Sequence, residues 1–285
     1  MTDADPTLPA DTTVGRVALR VADLGRLVDF YSTVVGLDIQ RRDDERAVLG
    51  AGGTALLELD HAPDAPARTR TDAGLFHAAI RVPSRAALGE ALVRIEDGWQ
   101  LTGASDHHVS EALYLRDPED NGVEVYCDRP RGEWPIRDGR VQMDTLPLDL
   151  DTLREGAMEG DAESVPAETD VGHVHLEVTD IPTARGFYVD TFDLTVRQEW
   201  DGALFVAAGD YHHHVGLNTW NGRSSPAAGR GLAWFELCVP GDAIGPVRER
   251  LDGAGVEIEE TTAGAFAVRD PDGIGVRLIP TAITS

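Results

Sequence analysis

The chain contains no lysine. Its 25 basic residues are all arginine, set against 50 aspartates and glutamates, for a formal charge of −25. A surface of that sign repels nucleic acid and anionic membranes, and both are excluded as partners. Long apolar runs are also missing: the longest are strand-sized, well short of the ~20 residues that a membrane helix needs. Residues 1–11 are acidic and polar, without the basic start and apolar stretch of a secretory signal, so a cytoplasmic location is expected. Cysteine is scarce. Cys127 and Cys238 stand in strand-like contexts without metal-ligand spacing, which fits small buried hydrophobes in a reducing compartment. Excess acid resembles the proteomes of extreme halophiles, where molar salt screens self-repulsion. A haloarchaeal cytosol is the expected solvent, and stability should rise with added KCl. A melting temperature unchanged between low and molar salt would remove that reading.

What is present is a repeat. The stretch Val14-Gly15-Arg16-Val17-Ala18-Leu19-Arg20-Val21 returns as Val171-Gly172-His173-Val174-His175-Leu176-Glu177-Val178, and Phe30-Tyr31 returns as Phe187-Tyr188 at the same offset. Gly74-Leu75-Phe76-His77 is echoed by Gly231-Leu232-Ala233-Trp234, each running on to Val-Pro. With 285 residues and 42% apolar composition, the chain can build two domains with real cores.

Four modules emerge. Module 1 opens with alternating Val17, Leu19 and Val21, the pattern of a half-buried strand. Asp23 then caps a helix over 24–35 that Gly36 ends, and three strands follow over 37–41, 47–49 and 55–59. Module 2 repeats the plan with a strand over 76–82, a helix over 85–96, and strands near 99–101, 112–116 and 122–126. Asp117-Pro118-Glu119-Asp120-Asn121-Gly122 turns between the last two. Module 3 covers 172–220 and module 4 covers 232–279, with Asp270-Pro271-Asp272-Gly273 as the matching turn. Each module reads β-α-β-β-β, an α+β plan. A unit that small cannot bury its sheet face alone, so modules must pair. The expected domains are 12–130 (modules 1 and 2) and 171–282 (modules 3 and 4), joined by an acidic linker over 131–170 with a short helix within 148–158.

The stretch Gly103 to Tyr126, with His107, Tyr114, Asp117-Pro118 and Glu124 at fixed places, and the stretch Tyr211-His212-His213-His214-Val215-Gly216-Leu217-Asn218-Thr219-Trp220 carry a resemblance. The chain resembles the vicinal oxygen chelate superfamily of glyoxalases, bleomycin-resistance proteins and extradiol dioxygenases, and within it the catechol-2,3-dioxygenase-like branch. The resemblance implies two tandem domains with cupped mixed sheets and one divalent metal inside a cup. Its ligands come from the first strand of each of two modules and the last strand of one. Two histidines and one carboxylate leave adjacent positions for substrate and oxygen.

Matched position by position, Ala18 stands where His175 stands, Trp234 where His77 stands, and Arg277 where Glu124 stands. Modules 1 and 4 therefore lack ligands, and His77, Glu124 and His175 are the expected metal set. Alternation puts each opposite its apolar neighbours. His173 shares the strand face of His175 and the repeat does not exclude it; it is the pattern of the resembled family that favours His175. If the set is right, the cup joins module 2 to module 3 across the halves, by pairing 2 with 3 and 1 with 4; otherwise these ligands belong to different sites.

The resemblance further assigns Tyr114 to hydrogen bonding of a substrate oxygen and His214 to acid–base work. His212, His107 and Asn218 are candidate substrate contacts, with His108 and Trp220 nearby. The function implied is an extradiol ring-cleaving dioxygenase using Fe(II), with Mn(II) as the other suitable ion, acting on a small aromatic diol and O2. The alternatives are a metal-dependent glyoxalase-like lyase or isomerase, and a metal-free small-molecule binding protein of the same fold. The sequence leaves a homo-oligomer open.

Overall fold

The structure, a computed structural model, describes residues 8–157, 163–261 and 264–282; residues 1–7 of the polar N-terminus and Met158, at the end of the expected linker helix, lie outside them. Strand Thr13–Val21 buries Val17, Leu19 and Val21, as its alternation demands. The Asp23 carboxylate accepts from the Arg26 backbone N–H at 3.0 Å and starts helix Leu24–Phe30. The last turn, Tyr31–Val35, widens to a π-helix and closes on Gly36 at φ 88°, a conformation that suits glycine. Module 3 ends its helix the same way, with a π-turn over Gly186–Thr191. The repeated tyrosines explain themselves here. Tyr31 donates to Asp117 Oδ2 at 3.1 Å and Tyr188 to Asp270 Oδ2 at 2.9 Å, so each ties its helix to the Asp-Pro turn of the following module.

Two large curled mixed sheets carry the modules, and each draws one module from each half of the chain. The nine-stranded sheet runs Leu146–Pro147, Gly103–Asp106, Ser110–Arg116, Gly122–Asp128, Gly74–Arg81, Asp170–Glu177, Val215–Asn218, Ala203–Ala207, Thr195–Trp200, which is module 2 joined to module 3. The eight-stranded sheet joins module 4 to module 1 through Gly231–Pro240 and Thr13–Val21. In both, the first strands of the two modules meet antiparallel at the centre. Modules of the same half meet instead through their helices: Arg94 Nη2 donates to Val35 O at 2.8 Å, and Arg250 Nη2 to Asp190 O at 2.8 Å. The bounds 12–130 and 171–282 thus mark two repeats along the chain, whereas pairing in the sheets is 2 with 3 and 1 with 4.

The strand expected near 99–101 lies later, at Gly103–Asp106, because helix Arg85–Gly98 runs two residues further than its apolar spacing suggested. The linker is part of the fold. Ile136–Arg137 and Arg140–Val141 form a small hairpin, Leu146–Pro147 extends the nine-stranded sheet, and helix Leu150–Glu155 packs on Arg85–Gly98. Trp134, Val141 and Met143 bury themselves against Phe205 and Tyr211. Both cysteines are free, and burial pushes the Cys127 thiol up to about 12, so it acts as a small hydrophobe. No helix among the described residues is long and apolar enough to cross a membrane.

Candidate metal centre and substrate cup

Register across three strands assembles the site. Ala79 is the Cα partner of His173 on one side and of Glu124 on the other, so these three residues form one row of the nine-stranded sheet. His77 precedes Ala79 by two residues and points to the same face. Ala79 has only a methyl group, so Glu124 and His173 can meet across it. Glu124 Oε2 lies 2.8 Å from His77 Nε2 and 3.2 Å from His173 Nε2. All three side chains are buried, and one donor atom from each lies within 4.8 Å of the others. No second carboxylate joins the group among the described residues. Glu177, the next acid on the strand of His173, is held by Arg68 and Arg223.

This donor set suits one divalent ion. Metal–imidazole bonds of roughly 2.1 Å at right angles place donor atoms about 3 Å apart. His77 Nε2 lies close to the carboxylate but off hydrogen-bond geometry, and it has no hydrogen-bond partner. A buried nitrogen in that state beside a carboxylate fits a metal donor. Burial lowers the His173 pKa to about 4 against the pull of Glu124, so its imidazole is neutral. Burial opposes charge on Glu124, yet His173 and His77 hold it well below the ordinary carboxylate range. A neutral His173 and an ionised Glu124 are in the protonation states that ligation needs.

Above the row lies a cavity of about 240 Å³. Phe76, Trp200, Phe205 and Trp220 wall it, Ser105, His107, Tyr114, His175 and His213 add polar groups, and Met143 and Thr145 from the linker close one side. Tyr114 is the cross-strand partner of Glu124. Burial, then the Glu124 charge, keep its phenol well above 10 and therefore protonated. His107 Nδ1 donates to the Asp144 carbonyl at 2.6 Å, which leaves Nε2 of a neutral ring to accept from Tyr114 O–H at 2.7 Å.

A second chain of bonds fixes His213. The Asp128 carboxylate accepts from His212 Nε2 at 2.9 Å. His212 Nδ1 and His213 Nδ1 share one hydrogen bond at 2.8 Å. The His213 ring sits 4.1 Å from that of His173, centre to centre, and borders the cavity. Beneath them Tyr126 bonds Tyr211, Oη to Oη, at 2.7 Å. Gly172 makes the room: a Cβ there would lie 1.7 Å from Tyr126 Oη.

The family model for the Glyoxalase/Bleomycin resistance protein/Dioxygenase superfamily matches residues 13–125 and again 170–278. The chain belongs to this superfamily. A relative named catechol-2,3-dioxygenase, from Bacillus subtilis (strain 168), is 41% identical over 272 residues, covering 92% of this chain and 94% of that protein. Glyoxalase I from Zea mays shares the fold at a TM-score of 0.56 and 18% identity, over 95% of this chain and 92% of its own. The cppA protein from Streptococcus pneumoniae does so at 0.56 and 12%, over 94% and 99%.

Within this superfamily fold, the expected residues separate. His77, Glu124, Tyr114 and His107 come together in the cup, and His175 borders it. His175 stands one row away from Glu124, opposite His77, and its Nε2 accepts from Asn218 Nδ2 at 3.0 Å. The convergent donor is His173. Asn218 is fully buried behind His175 and does not line the cavity. His214 turns away, stacked on Tyr211, with Nδ1 accepting from the Ala208 N–H at 3.2 Å. His212 is tied to Asp128, and the triplet member at the cavity is His213. The resemblance pointed to His214, but residues 211–214 are an irregular approach to strand Val215–Asn218 rather than part of it, and that bend brings His213 to the cavity. His108 is exposed at φ 67°. Met143 and Thr145 were missed because a linker gives no periodic signal.

Proposed function

We propose that this protein is an extradiol dioxygenase that opens catechols with O2, using Fe(II), or Mn(II), held by His77, Glu124 and His173. The observation that carries the reading is the convergence of two imidazoles on one buried carboxylate at the base of an aromatic-walled cavity. The catechol-2,3-dioxygenase name of a relative matched over nearly the whole chain supports the same activity. When bound, the ion would supply Lewis-acid activation of the catechol and an electron path from it to O2.

The protein's own groups do the rest. Phe76, Phe205 and Trp220 hold the ring by contact and keep water out. Burial holds His213 neutral, with its pKa well below the ordinary imidazole range. With its proton on Nδ1 towards His212, its Nε2 takes a phenolic proton and later returns it to the developing oxygen anion. The positive charge formed on His213 is stabilised through His212 by Asp128, whose own pKa stays low against burial because His212 bonds it. Tyr114, held protonated by burial beside Glu124, turns its O–H from His107 Nε2 to a substrate oxygen and orients it. The product is a muconic semialdehyde carrying both oxygen atoms.

The test is anaerobic reconstitution with Fe(II), then addition of catechol and substituted catechols with air in concentrated KCl. Yellow product absorbance with matching oxygen uptake is expected. Absence of turnover across the panel with iron bound would overturn the reading.

A further inference from the structure

A second cavity, of about 260 Å³, opens where three connecting segments meet. They are the stretch from Ala67 to Arg70, the turn from Arg116 to Asn121, and the stretch from Arg223 to Gly231. Five of the 25 arginines line it, against the carboxylates of Glu119 and Asp120 alone. In a chain of formal charge −25, that is a concentration of the minority sign.

The arginines fall into two groups. Arg68 and Arg223 are a fixed frame. Both bind Glu177 Oε2, at 2.5 and 2.8 Å, and both donate to backbone carbonyls, Arg68 to Leu75 and Arg223 to Arg70. Arg70, Arg116 and Arg230 have donors to spare. Arg230 meets Glu119 only at 3.6 Å, and Glu119 commits its other oxygen to the N–H groups of Ala22 and Asp23. Arg116 donates to the Asp120 carbonyl at 2.8 Å, and the Asp120 carboxylate stands off at 3.7 Å, largely in solvent. No carboxylate pairs with Arg70 among the described residues. Nε of Arg223 and of Arg230 is buried with no hydrogen-bond partner, a state that native interiors seldom leave uncompensated.

We propose that this cavity binds a small oxyanion carrying two or more negative charges, of the phosphate or polycarboxylate class. Arg70, Arg116 and Arg230 grip it, and Arg68 and Arg223 set the frame. Guanidinium forks match such oxygens in pairs. The charge of the whole surface would otherwise repel anions, so binding here is local and specific.

The test uses the full-length protein without added metal, at ionic strength fixed by KCl, titrated with potassium phosphate and separately with potassium citrate. Melting temperature and calorimetric heat are the readouts. A saturable response to at least one anion is expected. It should weaken tenfold or more in Arg230→Ala and in Arg70→Ala, with the Mn(II)-dependent rise in melting temperature, read separately without anion, unchanged in both. A response to phosphate alone assigns phosphate or a phosphate ester, and a response to citrate alone assigns a polycarboxylate. No saturable response to either anion, or an undiminished one in both variants, would overturn the proposal.

Discussion

Exchanging one histidine at a time in strand Asp170–Glu177 tests which of the two ligates. His173 Nε2 is 3.2 Å from Glu124 Oε2, whereas His175 Nε2 is occupied by Asn218 at 3.0 Å. A metal present at a hundred times its Kd stabilises the native state by about 2.7 kcal/mol. For a chain of this size, each kcal/mol moves Tm by roughly 2–4 °C, so Mn(II) should raise the wild-type Tm by about 5–10 °C. Losing an outer-shell partner already costs about 10–100-fold in metal affinity, and losing a direct donor costs at least as much. At a hundredfold loss the same Mn(II) concentration equals Kd, and the stabilisation falls to about 0.4 kcal/mol, a shift of roughly 1–2 °C. His173→Ala should therefore lose nearly the whole metal-dependent shift, and His175→Ala should keep it even if its metal-free Tm drops. Thermal melts by circular dichroism across a MnCl2 series at fixed ionic strength read both numbers. A full shift in His173→Ala, or its loss in His175→Ala alone, would refute the register argument.

Replacing His213 by Asn should lower kcat/KM by about 10²–10⁴ and leave Mn(II) affinity unchanged, since a proton-transfer group is removed and no ligand is; activity within threefold of wild type would exclude the role. Asp270 is pushed by burial from near 3.8 to about 7, so the folded state holds a proton that the unfolded chain releases. Stability contributed there falls as pH rises from about 4 to 7, by roughly 2–4 kcal/mol, and urea melts of Asp270→Asn should lose that slope. Arg16 binds Glu58 and Glu236, both at 2.8 Å and both largely buried. Arg16→Met should cost roughly 2–4 kcal/mol in urea unfolding without altering metal affinity, and a cost under about 0.5 kcal/mol would show that the pairs contribute nothing.

The modules and their turns were legible because each rests on a local rule, and the repeat together with the family resemblance pointed to His77, Glu124, Tyr114 and His107, which line the cup. Alternation marked Thr13–Val21, Asp23 marked the start of a helix, and the Asp-Pro turns fixed the last strands. The choice between His173 and His175 was not legible. Both share a face, and module 1 has lost both, with Arg16 and Ala18 in their places. What separates them is register against Glu124, a property of three strands that no single stretch encodes. Which member of His212-His213-His214 faces the cavity was not legible for a different reason: period-2 spacing holds only within a strand, and a chain bending towards one can point any member inward. The linker's share in the cup follows from tertiary packing of Trp134 and Met143 on Phe205, which composition does not reveal.

The crossed pairing of modules gives the scattered losses a single meaning. Arg16 stands where His173 stands, Trp234 where His77 stands, and Arg277 where Glu124 stands, in modules 1 and 4. Had the sheets joined modules 1 with 2 and 3 with 4, each cup would hold part of a ligand set and neither would be complete. Because module 4 pairs with module 1, all these replacements fall in one cup and the candidate set His77, Glu124 and His173 falls in the other. The depleted cup has been neutralised from within. Arg16 bridges Glu58 and Glu236, and the Arg277 guanidinium lies 3.6 Å from the centre of the Trp234 ring. Fixed cations of the chain there satisfy the carboxylates that a metal ion would otherwise compete for. Restoring a histidine at 234 alone would still meet two guanidinium groups, so the two cups are separated by several concerted substitutions rather than by one.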